Sequence, residues 1–496
     1  MSDPAYENAE KALGSPAREA SPALDVKAIS HARDAEKGDI PSTSDLQLQR
    51  NDAFPCGKWK AWSTVIGAFL IQFYVVGILT GFGVFQEFYT TEWLPKYTTS
   101  DISWIGGVQY MFELGLGPVA GRLYDEGYGR LSTLIGSFIS MFRYRQHNLL
   151  HAIQLTLNRD LTCSFFMLSI VQPNQYYQVF LVQGVGMGLG LMFVFGTTMT
   201  MVSQHFKTQR ALAMGIVAAS APLGSIMYTI LLNHLFHGSV GFAWGMRYVA
   251  FATLGCFVVG NLMLHSPIKG MRAAARQRRA LKKIALKTDG ADAAAATATE
   301  APLWDAPFVL TMVSAFLWSL GATPPNFYMQ LYAEMHGVNQ QLCFYSFAIL
   351  SFASIFGRIL PGWMSDRWGA ANVFIPSLFM VAVISFAMFG CGHPVGLVIF
   401  ALVFGYFFGT VIAMYMPMVA SMTPEGAGMG RRLGVSLTPV GVGSFVGPPM
   451  VGAILGPDYA WWKTIVFSGI MVMSACAFNV AALVIHRRRQ ASSANN

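Results

Sequence analysis

GRLYDEGYGR, at residues 121–130, and GWMSDRWGAA, at residues 362–371, are two variants of one sequence pattern. Their first glycines are separated by 241 positions, and so are their aspartates. In each stretch a glycine near the expected end of a helix is followed by a tight turn and a carboxylate. Glycine lets two helices approach closely or turn sharply. Because the pattern recurs at matching places, it predicts that the chain consists of two related halves.

Long apolar runs surround both stretches. The chain has 496 residues, of which 54% are hydrophobic and 12% are charged, whereas about 25% of the residues of soluble chains are charged. A membrane-spanning helix needs about 20 apolar residues. The sequence therefore predicts an all-α membrane protein with spans at 62–86, 101–121, 177–202, 210–233, 243–265, 306–329, 341–363, 371–391, 394–420, 432–455 and 463–486.

A twelfth span is expected between residues 131 and 171, where two short apolar runs flank the polar segment 143–160. That segment contains Arg143, Arg145 and Arg159, and an Arg at a helix centre costs about 2.5–3.5 kcal/mol on insertion scales. We predict that 143–160 is an insertion into the third helix, such as translated intron sequence. A genuine re-entrant segment between two half-helices is the alternative.

The net charge of +8 is distributed over short segments between the apolar runs, so no nucleic-acid partner is expected. The cations fall mostly after even-numbered spans, which places both termini in the cytosol by the positive-inside rule; the plasma membrane is the expected location. The predicted organisation is a disordered cytosolic tail (1–56), a six-helix bundle (57–265), a cytosolic basic linker (266–302), a second six-helix bundle (303–488) and a cytosolic tail (489–496).

The two quoted stretches also contain candidate conformational residues. A carboxylate at a helix end can accept hydrogen bonds from the N-terminal N–H groups of a neighbouring helix, or pair with a nearby Arg. Such a contact would hold one conformation of two rocking bundles, whereas a satisfied surface turn is the structural alternative. The predicted conformational latch consists of Gly121, Arg122, Asp125, Gly129, Arg130, Gly362, Asp366 and Arg367.

GRLYDEGYGR resembles the loop motif of the major facilitator superfamily, and GWMSDRWGAA resembles it more loosely. The resemblance implies two six-helix bundles around a central cavity, with alternating access by rocking. HFKTQRALAMGIVAASAPLG, at residues 205–224, is similar to the fifth-helix signature of the monocarboxylate porters, and GAFLIQFYVVGILTGFGVFQEFY, at residues 67–89, looks like the fungal branch of that family. The residues that match the fifth-helix signature are Lys207, Arg210, Ala211, Leu212, Ala213 and Gly215.

The resemblance places a substrate-binding Arg in the eighth span, where Arg358 lies. A guanidinium can hold a carboxylate through two parallel hydrogen bonds, whereas snorkelling or pairing with Asp366 is the alternative for Arg358. Spans 1, 7 and 10 commonly line the cavity of such proteins, which makes Tyr74, Asn326 and Tyr406 further candidates for substrate contact. Interhelical hydrogen bonding is the structural alternative for these three residues.

Glu113 lies in the middle of the second span and is the clearest buried carboxyl group of the sequence. Burial favours the neutral form of a carboxyl group. Glu113 is therefore a candidate for proton coupling, and a hydrogen-bonded structural role is the alternative.

The predicted function is secondary active transport of a small organic solute, most simply a monocarboxylate-type anion, with protons as a candidate coupling ion. The first alternative is an efflux carrier for a secondary metabolite or drug-like compound, because Ser354 stands where animal members of the porter family carry an Asp, and Met and Phe are abundant. A non-transporting nutrient receptor is an alternative of another class. The sequence contains no phosphate-binding Gly-Lys-Ser/Thr motif and no metal-ligand or catalytic pattern, so no enzyme activity, cofactor or metal is expected. Beyond the solute, membrane lipids are the expected partners.

Overall fold

The structure is a computed structural model, and it describes residues 58–128, 133, 164–206, 209–236, 238–265, 304–423, 429–456 and 458–494. These residues form helices joined by short turns. The predicted N-terminal tail, the predicted insertion at 143–160 and the predicted linker at 266–302 lie outside the described residues.

The helices of the first half are numbered in chain order. Helix α2 consists of Thr99–Tyr110, a π-helical turn at Met111–Gly115, the α-helical piece Gly117–Leu123 and a second π turn at Tyr124–Tyr128. The described part of α3 is Ser164–Leu168. The other helices of this half are α1 (Lys58–Thr80, continued by Phe82–Phe88), α4 (Tyr176–His205), α5 (Arg210–Phe236) and α6 (Gly241–Met263).

The second half begins after residue 303 and consists of six long helical segments. These are α7 (Ala306–Met335), α8 (Gln340–Trp368), α9 (Ala370–Gly392), α10 (Pro394–Ser421), α11 (Met429–Leu455) and α12 (Trp461–Ala494). Ten helices of the described chain are long and apolar enough to cross a membrane, namely α1 and α4 to α12. The second predicted span is also helical, but its π turns and a break at Leu116 divide it into pieces.

Helix α2 has a strong start and an irregular middle. Its first turn is a capping box: the Thr98 hydroxyl accepts from the Asp101 backbone N–H at 3.2 Å, and the Asp101 carboxylate accepts from the Thr98 N–H at 3.0 Å. Capping of this kind stabilises a helix by about 0.5–2 kcal/mol. The π turn at Met111–Gly115 contains Glu113, and such turns are frequent at functional sites.

Hydrogen bonds between side chains, one buried and one partly buried, join α1 and α2 to α4. Gln72 donates to the Thr198 hydroxyl at 2.8 Å, and Tyr124 donates to Gln204 at 2.9 Å. Buried polar groups normally have such partners. These bonds fix the rotation of α1 and α2, and therefore the direction in which the residues on their remaining faces point.

The two halves contact each other mainly at two helix crossings. Helix α2 packs against α11, and α5 packs against α8. Within the halves, α1 packs against α5 and α6, while α8 packs against α10 and α7 packs against α12. The two crossings contain the pattern residues with which the sequence analysis began.

Candidate functional site

At the α2–α11 crossing, the carboxylate of Asp125 caps the start of α11. It accepts hydrogen bonds from the backbone N–H groups of Gly430 at 2.9 Å and Arg431 at 2.7 Å. The first N–H groups of a helix have no partner within the helix, and the helix dipole favours negative charge there. Asp125 therefore joins the end of α2 to α11 of the other half.

At the α5–α8 crossing, Asp366 makes the equivalent contact. Its two carboxylate oxygens accept from the backbone N–H groups of Ala211 at 2.8 Å and Leu212 at 2.9 Å, at the start of α5. The N–H groups that are capped at the start of α5 have counterparts in α11 at a constant separation of 219 positions. The two aspartates that cap them are separated by 241 positions. The two crossings therefore follow one internal repeat.

Glycines bring the backbones of the crossing helices into contact. A Cβ atom added to Gly121 would overlap the carbonyl oxygen of Gly430, and one added to Gly117 would overlap that of Gly434. At the other crossing, a Cβ atom on Gly362 would lie 2.9 Å from the carbonyl oxygen of Ala211. Close packing of this kind needs small residues.

The predicted latch residues are thus partly brought together. Gly121 and Asp125 lie at one crossing, and Gly362 and Asp366 lie at the other. The remaining ones lie elsewhere: Arg122 is exposed, the Arg367 guanidinium lies over the Trp363 ring at 4.0 Å, and Gly129 and Arg130 lie outside the described residues. That these contacts control a conformational change stays a prediction.

Arg358 lies on α8 in the middle of the α5–α8 crossing. Arg358 is only 7% exposed, and its Nη1 donates to the Ala218 carbonyl of α5 at 2.6 Å. The Nε atom has no hydrogen-bond partner. No carboxylate in the described part of the chain pairs with it, since Asp366 is occupied by the start of α5. Buried charges are normally paired, so this guanidinium is an unneutralised cation between the halves.

Tyr110 connects Arg358 to the acidic candidate on α2. It interacts electrostatically with both Glu113 and Arg358, across the boundary between the halves. Glu113 is 3% exposed, and among the described residues its carboxyl group makes no hydrogen bond. In the sequence, the only pointer to Tyr110 is its place one helical turn before Glu113.

The three other predicted substrate contacts lie in different places. Tyr406 is next to the Arg358 region, because its backbone carbonyl packs against Gly357. Tyr74 instead lies against α5, with its ring 6.1 Å from that of Tyr228, and lines a groove of about 260 Å³ between α1, α5 and α6. Asn326 is half-buried in the π turn of α7, and its side chain makes no hydrogen bond within the described chain. Of these three, Tyr406 alone has a backbone contact with the residue next to Arg358, namely Gly357.

The ionisable residues in the middle of α2 and α8 depart from the internal repeat. At the spacing of 241 positions, Arg358 corresponds to Gly117, and Ser354 corresponds to Glu113. The backbone contacts at these two positions are nevertheless equivalent. A Cβ atom added to Gly215 would overlap the carbonyl oxygen of Arg358, and a Cβ atom added to Gly434 would overlap the carbonyl oxygen of Gly117. Each half therefore adds one ionisable side chain of its own to a shared backbone arrangement.

A comparison with models of protein families identifies the family of the chain. The family model described as Major Facilitator Superfamily matches residues 161–415 and 347–496. The chain belongs to the Major Facilitator Superfamily. It is therefore a multi-pass membrane protein and a transporter of small molecules rather than an enzyme, as the loop motifs predicted.

Curated relatives from fungi match most of the chain. The agnestins efflux protein of Paecilomyces divaricatus is 32% identical over 427 residues, which cover 85% of this chain and 87% of that protein. The aspyridones efflux protein of Emericella nidulans is 29% identical over 423 residues, which cover 85% of this chain and 77% of that protein.

Solved structures show the same fold. The proton:xylose symporter XylE, bound to 6-bromo-6-deoxy-D-glucose, matches with a TM-score of 0.57 and 12% sequence identity, over 84% of this chain and 94% of that chain. A double-tryptophan mutant of XylE matches with a TM-score of 0.58 and 11% identity, over 86% and 94% of the two chains. At this identity the likeness concerns the fold alone.

Proposed function

We propose that this protein exports an acidic secondary metabolite by alternating access. The names of two relatives, the agnestins and aspyridones efflux proteins, support export of a metabolite. The unneutralised guanidinium of Arg358, buried between the halves, carries the proposal that the substrate has an anionic group. The efflux alternative of the sequence analysis thus becomes the leading interpretation.

The proposed architecture has twelve helices in two six-helix bundles, with both termini in the cytosol and the plasma membrane as location. Residues 57–265 and 303–488 form the bundles, and 266–302 is the cytosolic linker between them. The capped starts of α5 and α11 then lie on the cytosolic side, where cations are concentrated. The latch contacts of Asp125 and Asp366 hold this side closed, and they must separate before a solute can enter from the cytosol.

The carboxylate or other acidic group of the substrate pairs with Arg358. An anion there offsets the desolvation cost of a buried cation, and two parallel hydrogen bonds from a guanidinium fix its orientation. Tyr406 and Asn326 are proposed as further contacts, and Tyr74 as a contact only for a solute that reaches the α1 side of the bundle. Glu113 is the proposed proton carrier, because its carboxyl group is buried close to the same site.

A small monocarboxylate is the second candidate substrate. The similarity of residues 205–224 to the monocarboxylate porters and the buried Arg358 favour it. The two candidates share the anionic group and differ in the size of the apolar part of the solute.

Flux into inside-out plasma-membrane vesicles tests the proposal. The vesicles come from a transporter-deficient yeast that expresses the chain, and the probes are aspyridones, agnestins, and radiolabelled lactate and pyruvate. We expect uptake of a metabolite probe that depends on the proton gradient, is abolished in Arg358→Gln, and loses its gradient dependence in Glu113→Gln. Arg247→Gln is the matched control, since Arg247 lies on α6 with its guanidinium 4.6 Å from the centre of the Trp244 ring, whereas Arg358 lies on α8 and contacts α5.

Each outcome decides one part of the proposal. Uptake of lactate and pyruvate alone would favour the monocarboxylate candidate. Uptake that Arg358→Gln leaves unchanged would contradict the anion site. The same assay on a version lacking 143–160, together with the sequence of the mature transcript, tests the insertion; a transcript that encodes all of 143–160 would contradict a gene-model error.

A further inference from the structure

Arginines and tryptophans occupy the ends of α8 and α12, two helices that both pack against α9. We call this group of residues the α8–α12 patch and define it by Trp363, Arg367, Trp368, Asn372, Arg487 and Arg488. Trp363 is 46% exposed and Trp368 is 61% exposed. Large exposed aromatic side chains near the end of a membrane helix are typical of the interface between lipid and water.

Contacts within the patch hold two guanidinium groups in place. Arg367 lies over the Trp363 ring, 4.0 Å from its centroid. Arg487 donates through Nη2 to the Asn372 side-chain oxygen at 2.6 Å, and the Asn372 amide donates to the Trp368 carbonyl at 2.6 Å. Asn372, at the start of α9, thus links Arg487 of α12 to Trp368, the last residue of α8, which directly follows Arg367.

The acidic side chains around the patch already have partners. Asp366 accepts from the start of α5, and Asp305 pairs with the buried Arg432 and lies 3.8 Å from Arg489. The exposed cations Arg367, Arg487 and Arg488 are therefore not neutralised by these carboxylates.

The length of α12 places these cations at the membrane surface. The helix has 34 residues, which span about 51 Å at 1.5 Å per residue, whereas the hydrocarbon core is about 30 Å thick. The arginines begin at position 487, after an apolar run that is long enough to cross the core. They lie on the side of the helix bundle that the positive-inside rule assigns to the cytosol.

We propose that the α8–α12 patch binds the headgroup of an anionic phospholipid of the cytosolic leaflet. A guanidinium binds a phosphate group through paired hydrogen bonds, and the exposed indole rings pack against the adjoining glycerol and acyl chain. Charge complementarity selects this occupant, because the cytosolic leaflet is rich in anionic lipids. The site is independent of the transported substrate.

Such a lipid would stabilise the latched arrangement of the helices. Arg367 follows Asp366 directly, and Asp366 caps α5 of the other half. A headgroup that fixes the end of α8 also fixes the carboxylate that holds α5. We therefore expect anionic lipid to raise the unfolding temperature of the protein and to increase the fraction with a closed α5–α8 crossing.

Lipid titration of the purified full chain in detergent tests the site. The probe is dioctanoyl-phosphatidylserine, and binding is followed by microscale thermophoresis. We expect saturable binding that dioctanoyl-phosphatidylcholine does not reproduce. The triple variant Arg367→Gln, Arg487→Gln, Arg488→Gln should bind at least tenfold more weakly, since each cation near a charged lipid surface contributes about fivefold. Arg247→Gln, which alters a similar Arg–Trp pair on α6, should bind as the unaltered chain does.

Three results would overturn the proposal. These are equal binding of phosphatidylcholine, unchanged binding by the triple variant, and displacement of the lipid by equimolar glycerophosphoserine or inorganic phosphate, which would make the patch a site for free anions. The elution volume and unfolding temperature of each variant show whether it is folded. If the triple variant is not folded, Arg488→Gln alone replaces it, with an expected weakening of about fivefold, because Arg488 is exposed.

Discussion

The α2–α11 and α5–α8 crossings have the same construction and different chemistry. In both, an aspartate caps the first N–H groups of a helix from the other half, and glycine lets the backbones touch. In the middle of the helices they diverge: α2 has Glu113 and Gly117 where α8 has Ser354 and Arg358.

This difference separates two kinds of residue. We infer that features shared by both crossings serve a movement of the two halves, since a rocking mechanism needs equivalent contacts in each half. Ionisable residues that occur in one half only are available for the substrate and the coupling ion, because burying them unpaired is costly without a function. Substitutions that alter one crossing or one ionisable residue at a time can therefore separate the two kinds.

Replacing Arg358 should have the largest effect, and on binding rather than on stability. Arg358→Gln removes the buried positive charge, and loss of one partner from a buried charge pair costs about 2–5 kcal/mol, or at least about thirtyfold in affinity. Equilibrium binding of an acidic metabolite probe measures the loss. Arg358→Lys, which keeps the charge without the paired donors, should retain part of the affinity. Equal affinity in all three proteins would contradict the role of Arg358.

Adding a methyl group at the glycines should distinguish the two crossings. Gly121→Ala places a Cβ atom on the Gly430 carbonyl, whereas at Gly362 the nearest atom is 2.9 Å away. Overpacking costs about 1–3 kcal/mol, so Gly121→Ala should lower the unfolding temperature more than Gly362→Ala does. Spin labels on the ends of α2 and α11 should report a wider separation in Gly121→Ala. A larger effect at Gly362 would contradict the packing described for the α2–α11 crossing.

Removing either aspartate should have a moderate effect of similar size in both halves. Asp125→Ala and Asp366→Ala each leave two N–H groups of a helix start without their acceptor, which costs about 0.5–2 kcal/mol. The two losses of free energy should add in the double variant, because the two capping sites share no contacts. Spin-label distances across the crossings measure the fraction of each variant that is in the closed arrangement, and the decrease in this fraction is the effect of the substitution. A single variant that behaves like the double one would show that the crossings are coupled.

Tyr110→Phe should have the smallest effect. It removes one polar group that interacts electrostatically with Glu113 and Arg358, and losing one such interaction costs no more than losing a typical hydrogen bond, about 0.5–1.5 kcal/mol. We expect a few-fold lower affinity for an acidic probe and an unchanged unfolding temperature. The reverse result, a lower unfolding temperature with unchanged affinity, would assign Tyr110 to packing alone.

Sequence alone predicted the parts of this structure that depend on local patterns. The apolar runs located the ten long apolar helices of the described chain, and the repeat at 241 positions predicted carboxylates that accept from the start of a neighbouring helix, which Asp125 and Asp366 do. Hydropathy locates a helix but does not show which other helix packs against each of its faces. The family resemblance named Tyr74 from its place in the first span and could not show that its ring lies beside that of Tyr228, and no sequence pattern connected Tyr110 with Arg358.

One binding measurement compares the two kinds of residue directly. An acidic metabolite probe is titrated into Arg358→Gln and into the double variant Asp125→Ala, Asp366→Ala. The same preparations are labelled for spin-label distances at both crossings. We predict that Arg358→Gln loses binding and keeps the closed crossings, whereas the double variant keeps an intact binding site and loses the closed arrangement. Loss of binding in the aspartate variant equal to that in Arg358→Gln, at unchanged distances, would contradict the separation of movement from substrate recognition.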